Sequence, residues 1–207
     1  KISFMRILYI FGIEATAKEI EEVVGESYSN HFDTVKKLFF IGDEKKDDLN
    51  LELQKDYEYH FCIGFTESSL RKQCIDFCLK RNLSPFTVIN KSAYIAKSVK
   101  IGGGSYIAAN TSISSNAEIG DFCQLNLNCS IGHDVKLGMN TIVLPGARIS
   151  GNVHIGKESL IGSNAFIYQN VKIGNNNKVD ALTYIKKDLG DDIISISSLK
   201  TKSLKRS

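Results

Sequence analysis

From Ala93 to Asp188 the chain divides into sixteen consecutive hexads, AYIAKS, VKIGGG, SYIAAN, TSISSN, AEIGDF, CQLNLN, CSIGHD, VKLGMN, TIVLPG, ARISGN, VHIGKE, SLIGSN, AFIYQN, VKIGNN, NKVDAL and TYIKKD. The third residue of each is Ile, Leu or Val, and nothing is inserted or lost. A period of six is neither the 2 of an ordinary strand nor the 3.6 of a helix. First positions are almost always small or β-branched, as in Val99, Thr111, Ala117, Val135 and Ala165, and glycine recurs at the fourth, as in Gly102, Gly120, Gly138, Gly156 and Gly174. Such a repeat predicts a parallel β-helix, because a short strand and turn can bury one aliphatic side chain only by stacking on its neighbours. The core is then a column of aliphatics.

The tract resembles the left-handed β-helix of the hexapeptide-repeat acyltransferases, in which three hexads form one triangular coil. Its handedness follows from that resemblance alone, since parallel crossovers are otherwise right-handed. Residues three hexads apart then stack. The sixth positions form ladders such as Asn110, Asn128, Gly146, Asn164 and Asn116, Asp134, Asn152, Asn170, residue types that tolerate left-handed backbone angles at tight corners. Much of the asparagine content is therefore turn chemistry.

Residues 1–90 read differently. "ILYIF" at 7–11 is an apolar run, and "EATAKEIEEVV" places Ala17, Ile20, Val23 and Val24 at helical spacing. "HFCIGF" at 60–65 then precedes "ESSLRKQCIDFCLKRN", where Leu70, Cys74, Phe77, Cys78 and Arg81 mark one face. Strand, helix, strand, helix predicts a small α/β, Rossmann-like domain with a parallel sheet; "SPFTVIN" reads as its last strand, feeding the solenoid. Gly12 stands alone after the first strand and Glu14 adds negative charge beside it, so an ordinary strand-to-helix turn and a phosphate-receiving turn both remain open. The expected organisation is a substrate-binding α/β domain at 1–90, the β-helix at 91–189 and a frayed basic tail at 190–207.

Composition narrows the classes. A formal charge of +3 over 207 residues gives nucleic-acid binding little electrostatic support. Cys62, Cys74, Cys78, Cys123 and Cys129 contain no CxxC pair, which argues against a disulfide framework or thiolate zinc site and for a reducing, cytoplasmic setting. No apolar run reaches the roughly 18 residues of a membrane span, and "KISFMRILYIFG" lacks a signal-peptide layout. Only His133 and His154 fall in the repeats, too few for the three-histidine zinc site of a solenoid hydratase, so no metal is expected. Thr111, Thr141 and Thr183 do not make the threonine rows of an ice-binding face.

The two parts together resemble the sialic acid O-acetyltransferase family and the related N-acetyltransferases of UDP-linked 4-amino sugars. The most specific segments are "NLNCSIGHDVKLG", "PGARISGNVHIG" and "LIGSNAFI". The resemblance implies transfer of an acetyl group from acetyl-CoA to the amine or hydroxyl of a sugar, nucleotide-linked or a sialic acid, in bacterial surface glycan synthesis. It also implies a homotrimer whose sites lie between solenoids. His133, fifth in its hexad at an outward corner, becomes the general base for direct attack, without an acyl-enzyme. Asp134 would fix its tautomer, or serve only the turn. Asn126 matches an asparagine that positions the acceptor, although corner chemistry explains it equally. "FFIGDE" and "CIGFTES" place Asp43 and Gly64, with Gly12, at the acceptor site. Gly151, Ser163 and Ala181 are the small residues along which the pantetheine arm would run, Gly151 leaving room beside His133. Ile142 stands where many relatives carry a second, acetyl-contacting histidine. That departure and the depleted glycine turn keep a rival open: a non-catalytic sugar-nucleotide or partner-binding protein that retained the fold.

Overall fold

The computed structural model describes residues 4–12, 14–40, 51 and 53–197. Four parallel strands, β1 (Met5–Phe11), β2 (Thr34–Leu38), β3 (Tyr57–Ile63) and β4 (Ser84–Pro85), form the N-terminal sheet in the order β2-β1-β3-β4. Helix α1 (Ala15–Ser27) follows β1, and α2 (Ser68–Lys80) follows β3. Alternation along β1 divides the domain into two layers. Leu8 and Ile10 face α1, which buries the expected Ala17, Ile20, Val23 and Val24. Ile7, Tyr9 and Phe11 join Cys74, Phe77 and Cys78 of α2. The buried face of α2 differs from the expected one at its ends: Arg71 and Ile75 are buried on it, whereas Arg81 is the exposed C-cap, its guanidinium 3.8 Å above the Phe77 ring.

"SPFTVIN" splits rather than forming one strand. Ser84–Pro85 is the edge of the N-terminal sheet, where a proline costs no ladder bond, and Val88–Ile89 already pairs with Tyr106–Ile107 as the first rung of the solenoid.

The solenoid is a left-handed parallel β-helix of two-residue strands on three faces. Face I has seven strands, from Val88–Ile89 through Gln124–Leu125 and Ile142–Val143 to Ile194–Ser195; face II has six, including Ser130–Ile131 and Arg148–Ile149; face III has five, including Lys136–Leu137 and His154–Ile155. Every pair up to Tyr184–Ile185 is offset by three hexads, as Ser130 is from Arg148. The last coil is two positions shorter, since Lys178 pairs with Ile194. Strand pairing thus runs past residue 189, the boundary expected from the repeat.

Third positions from Ile107 to Ile185 form one continuous core. First positions line the corners beneath it, and their polar atoms are spent on corner carbonyls: Thr111 Oγ1 donates to Asn126 O at 2.9 Å, Thr141 Oγ1 to Gly156 O at 3.1 Å, and Cys123 Sγ to Gly138 O at 3.2 Å. From Gly104 to Leu182 every sixth residue has a positive φ, between 52° and 72°. The asparagine ladders are therefore corner residues in the left-handed region, which most side chains avoid.

Two of these corner residues, Phe122 and Glu158, depart from turn chemistry for a visible reason. With Asn140 between them they stack one coil apart on the edge between faces III and I, and each of the three meets the N-terminal domain. The Phe122 ring stacks on Phe61 at 5.9 Å, Asn140 accepts from Arg71, and Glu158 pairs with Lys72 at 3.2 Å.

Two outcomes check this account by thermal or denaturant unfolding. Asn170→Gly, at an exposed left-handed corner, is expected to change stability by under about 0.5 kcal/mol, whereas Asn170→Val costs about 1–2 kcal/mol. Ile149→Ala in the aliphatic column costs about 2–5 kcal/mol.

Candidate functional site

Two places concentrate chemistry, one on the solenoid and one in the N-terminal domain. On the edge between faces II and III, His133 projects outward from the corner that follows Ser130–Ile131. Its backbone is pinned on both sides: His133 O accepts from Asn152 N at 2.9 Å, and Asp134 N donates to Ser115 O at 3.0 Å. The side chains of His133 and Asp134 are 57% and 46% exposed, so neither serves the core. Nδ1 of His133 lies 2.8 Å from Oδ2 of Asp134. Asn116 Nδ2 donates to the other carboxylate oxygen at 3.2 Å. These two hydrogen bonds, His133 first, hold the Asp134 carboxyl below its ordinary range. An ionised carboxylate beside Nδ1 keeps the proton of a neutral ring on Nδ1, which donates to Oδ2, and leaves Nε2 with a free lone pair. Asp134 has φ +56°, so one residue both turns the corner and makes the contact with Nδ1.

Gly151 lies one coil beyond His133 on the same edge. A Cβ on Gly151 would stand 2.5 Å from Nε2 and 2.7 Å from Cε1 of His133. The imidazole itself lies against the bare glycine, which fixes the ring's lateral position where Asp134 fixes its rotation.

The remaining solenoid candidates lie elsewhere. Asn126 sits on the edge between faces I and II, is 6% exposed, accepts from Gln124 Nε2 at 3.1 Å and donates to Val143 O at 3.0 Å. Its polar atoms are engaged in holding the corner. Ile142 is fully buried on face I, between Gln124 and Leu160, and presents nothing to solvent. Ser163 and Ala181 are solvent-accessible but also lie on the I/II edge, one edge away from His133 and Gly151.

Gly12 and Gly64 are brought together. In a sheet of order β2-β1-β3-β4, the chain leaves β1 and β3 in opposite directions, and a crevice opens between their carboxyl ends. Gly64 N donates to Phe11 O at 2.7 Å. Gly64 faces the backbone of Ala17, where a Cβ would lie 2.5 Å from the Ala17 Cα, and Gly12 takes φ +125° with Gly64 O against it. Both glycines are thus required by close packing as well as lining a cleft of about 240 Å³ with Ala15, Thr16, Phe40 and Phe65. Helix α1 opens onto this cleft with no side-chain cap on its first amides. Asp43 lies outside the described residues.

Arg71 is a functional candidate that the sequence reading missed. It is 1% exposed, and its hydrogen bonds go to neutral oxygens: Nε to Asn140 Oδ1 at 2.9 Å, Nη1 to Phe65 O at 2.8 Å and Gln124 Oε1 at 2.9 Å, and Nη2 to Phe122 O at 2.7 Å. Burial pulls its pKa down to about 10, which leaves it charged at neutral pH. The available signal was indirect: Phe122 stands at a sixth position, where Asn, Asp or Gly is usual.

The five cysteines are buried and unpaired. Burial pushes the Cys123 and Cys129 thiols up to about 12, so they are poor nucleophiles. Among the described residues no group of three His, Cys, Asp or Glu side chains could hold a metal ion, and no helix is long and apolar enough to cross a membrane.

Comparison with known proteins agrees with this architecture. Residues 152–187 match the family described as the hexapeptide repeat of succinyl-transferase. No curated protein matches the chain by sequence. Among solved structures, the acetyltransferase domain of PglB from Neisseria gonorrhoeae in complex with acetyl coenzyme A is 22% identical, with a TM-score of 0.78 over 92% of this chain and 95% of that one. WeeI from Acinetobacter baumannii is 22% identical, with a TM-score of 0.78 over 92% and 96%. A mutant perosamine N-acetyltransferase from Caulobacter crescentus, in complex with CoA and GDP-perosamine, is 20% identical, with a TM-score of 0.78 over 90% and 91%. At these identities the likeness establishes the fold of both parts and their order along the chain.

Two measurements check the site. In the native protein all five thiols are expected to resist a thiol reagent and to react after denaturation. In a crystal structure of Gly151→Ala the His133 ring is expected to swing off the corner and break its 2.8 Å contact with Asp134.

Proposed function

We propose that this protein is an acetyltransferase that moves the acetyl group of acetyl-CoA onto the amine or hydroxyl of a sugar, either a nucleotide-linked amino sugar or a sialic acid, in the synthesis of a bacterial surface glycan. The observation that carries the reading is the His133–Asp134 pair: an imidazole with an oriented tautomer, held against Gly151 on an outward corner, where the solenoid's own stability has no use for it. The reading is supported by structures of the same fold solved in complex with acetyl coenzyme A, or with CoA and GDP-perosamine.

The donor thioester supplies the acyl carbon. His133 Nε2 accepts the proton of the attacking nitrogen or oxygen as the new bond to that carbon forms, and Asp134 stabilises the imidazolium through Nδ1–H. The same nitrogen then returns the proton to the departing thiolate, so the protein ends as it began. General-base assistance of this kind contributes about 10²- to 10⁴-fold. The acceptor's sugar nucleotide would occupy the Gly12–Gly64 cleft, with its phosphates toward the uncapped amides of α1.

Placement of the small residues bears on assembly. Gly151 lies on the II/III edge and Ser163 and Ala181 on the I/II edge, so one coenzyme arm can touch both only between two subunits. A homotrimer, with the His133 edge of one solenoid facing the Ser163–Ala181 edge of the next, meets this requirement. Ile142, buried where an acetyl contact was expected, favours the rival reading of a binding protein without turnover.

Thiol release from acetyl-CoA, with a panel of amino sugars, sialic acids and UDP-linked 4-amino sugars, separates the two. Turnover with at least one acceptor, reduced about 10²-fold or more in His133→Ala and also lowered in Asp134→Asn, which removes the charge that orients the imidazole, is expected. Coenzyme binding with no turnover on any acceptor would establish the rival. Light scattering at assay concentration is expected to give three times the mass of the chain; a strict monomer would remove the inter-subunit cleft.

A further inference from the structure

We infer that Arg71 is a positioning residue for the acceptor: it clamps one wall of the Gly12–Gly64 cleft to the solenoid, so that a ligand in the N-terminal domain is held at a fixed place relative to the catalytic prism. The inference rests on the reading of that cleft as the acceptor site.

The geometry is a bridge with two feet. On one side Arg71 Nη1 donates to the carbonyls of Phe65, at 2.8 Å, and Ile63, at 3.4 Å, the two residues that flank Gly64. Gly64 and Phe65 both line the cleft. On the other side the same guanidinium holds Phe122 O, Gln124 Oε1 and Asn140 Oδ1, three groups on two successive coils. The solenoid contacts continue inward: Gln124 Nε2 donates to Asn126 Oδ1, and Asn126 Nδ2 to Val143 O.

Only arginine can make this bridge. Its planar fork offers five donors in fixed directions, whereas lysine offers three from a single point. Hydrophobic contacts between the two domains, such as Phe61 on Phe122, supply adhesion without direction. A buried cation satisfied entirely by neutral oxygens is expensive to keep, and aliphatic packing would glue the domains equally well. What the guanidinium adds is a defined angle for the Ile63–Phe65 backbone.

The test uses calorimetry and hydrogen exchange on the full chain, comparing wild type, Arg71→Lys and Gln124→Met, the last removing one acceptor of the guanidinium, and with it the donor to Asn126, in case Arg71→Lys does not fold. A UDP-linked 4-amino sugar and CoA are titrated separately. The expected result is a Kd for the sugar nucleotide weakened about 10-fold in Arg71→Lys and about 3-fold in Gln124→Met, with the Kd for CoA unchanged. Amides of residues 63–67 should exchange at least 10-fold faster, with those of 149–155 unaltered. Equal weakening of both ligands, or faster exchange with unchanged sugar-nucleotide affinity, would reduce Arg71 to a structural residue and overturn the inference. A wild type that binds no sugar nucleotide overturns it as well. A wild type that binds the sugar nucleotide yet releases no thiol defeats the acetyltransferase reading alone and leaves the clamp standing.

Discussion

Coil-to-coil stacking at a spacing of three hexads is the constraint on which the rest of the molecule depends. Each rung is a two-residue strand, too short to be stable in isolation, and it persists because its backbone bonds the rungs before and after it. Corners in the left-handed region make the spacing repeat. Where Asn, Asp or Gly holds a positive φ, the next strand starts in register and its third residue falls into the aliphatic column. A polar corner residue is also an outward-facing one, so the device that closes the coil provides positions at which side chains can be added without disturbing the core. His133 uses such a position.

The same regularity explains why departures are informative. A corner that carries phenylalanine accepts a conformational cost, and Phe122 recovers it by stacking on Phe61 across the domain boundary. Glu158 does likewise through Lys72. Leu182 has the same backbone angle, φ +58°, but is 59% exposed on the I/II edge beside Ala181. The edge occupied by Phe122, Asn140 and Glu158 is thereby committed to the N-terminal domain, and the II/III edge, with His133, is left open to solvent. The proposed catalytic role and the docking role thus fall on different corners of one prism.

Much of this is legible in the residues. The hexads define the solenoid and its core, because each repeat meets the same environment and the pattern needs no long-range information. The α1 face can be read residue by residue, since its amphipathic spacing is local. The His133–Asp134 contact is readable because the two are adjacent in the chain. By contrast, "SPFTVIN" reads as one strand, yet the chain changes partners between Pro85 and Val88, a division decided by which sheet edge and which coil lie within reach.

The sequence by itself determined a prism of hexads with one imidazole on its surface, preceded by a parallel α/β unit, because periodicity and amphipathic spacing act over a few residues. Tertiary structure alone decided that Arg71 reaches Asn140, far along the chain, and that Gly12 and Gly64 close on the same helix. These depend on the directions of side chains from elements far apart in the chain, and no local pattern encodes a direction.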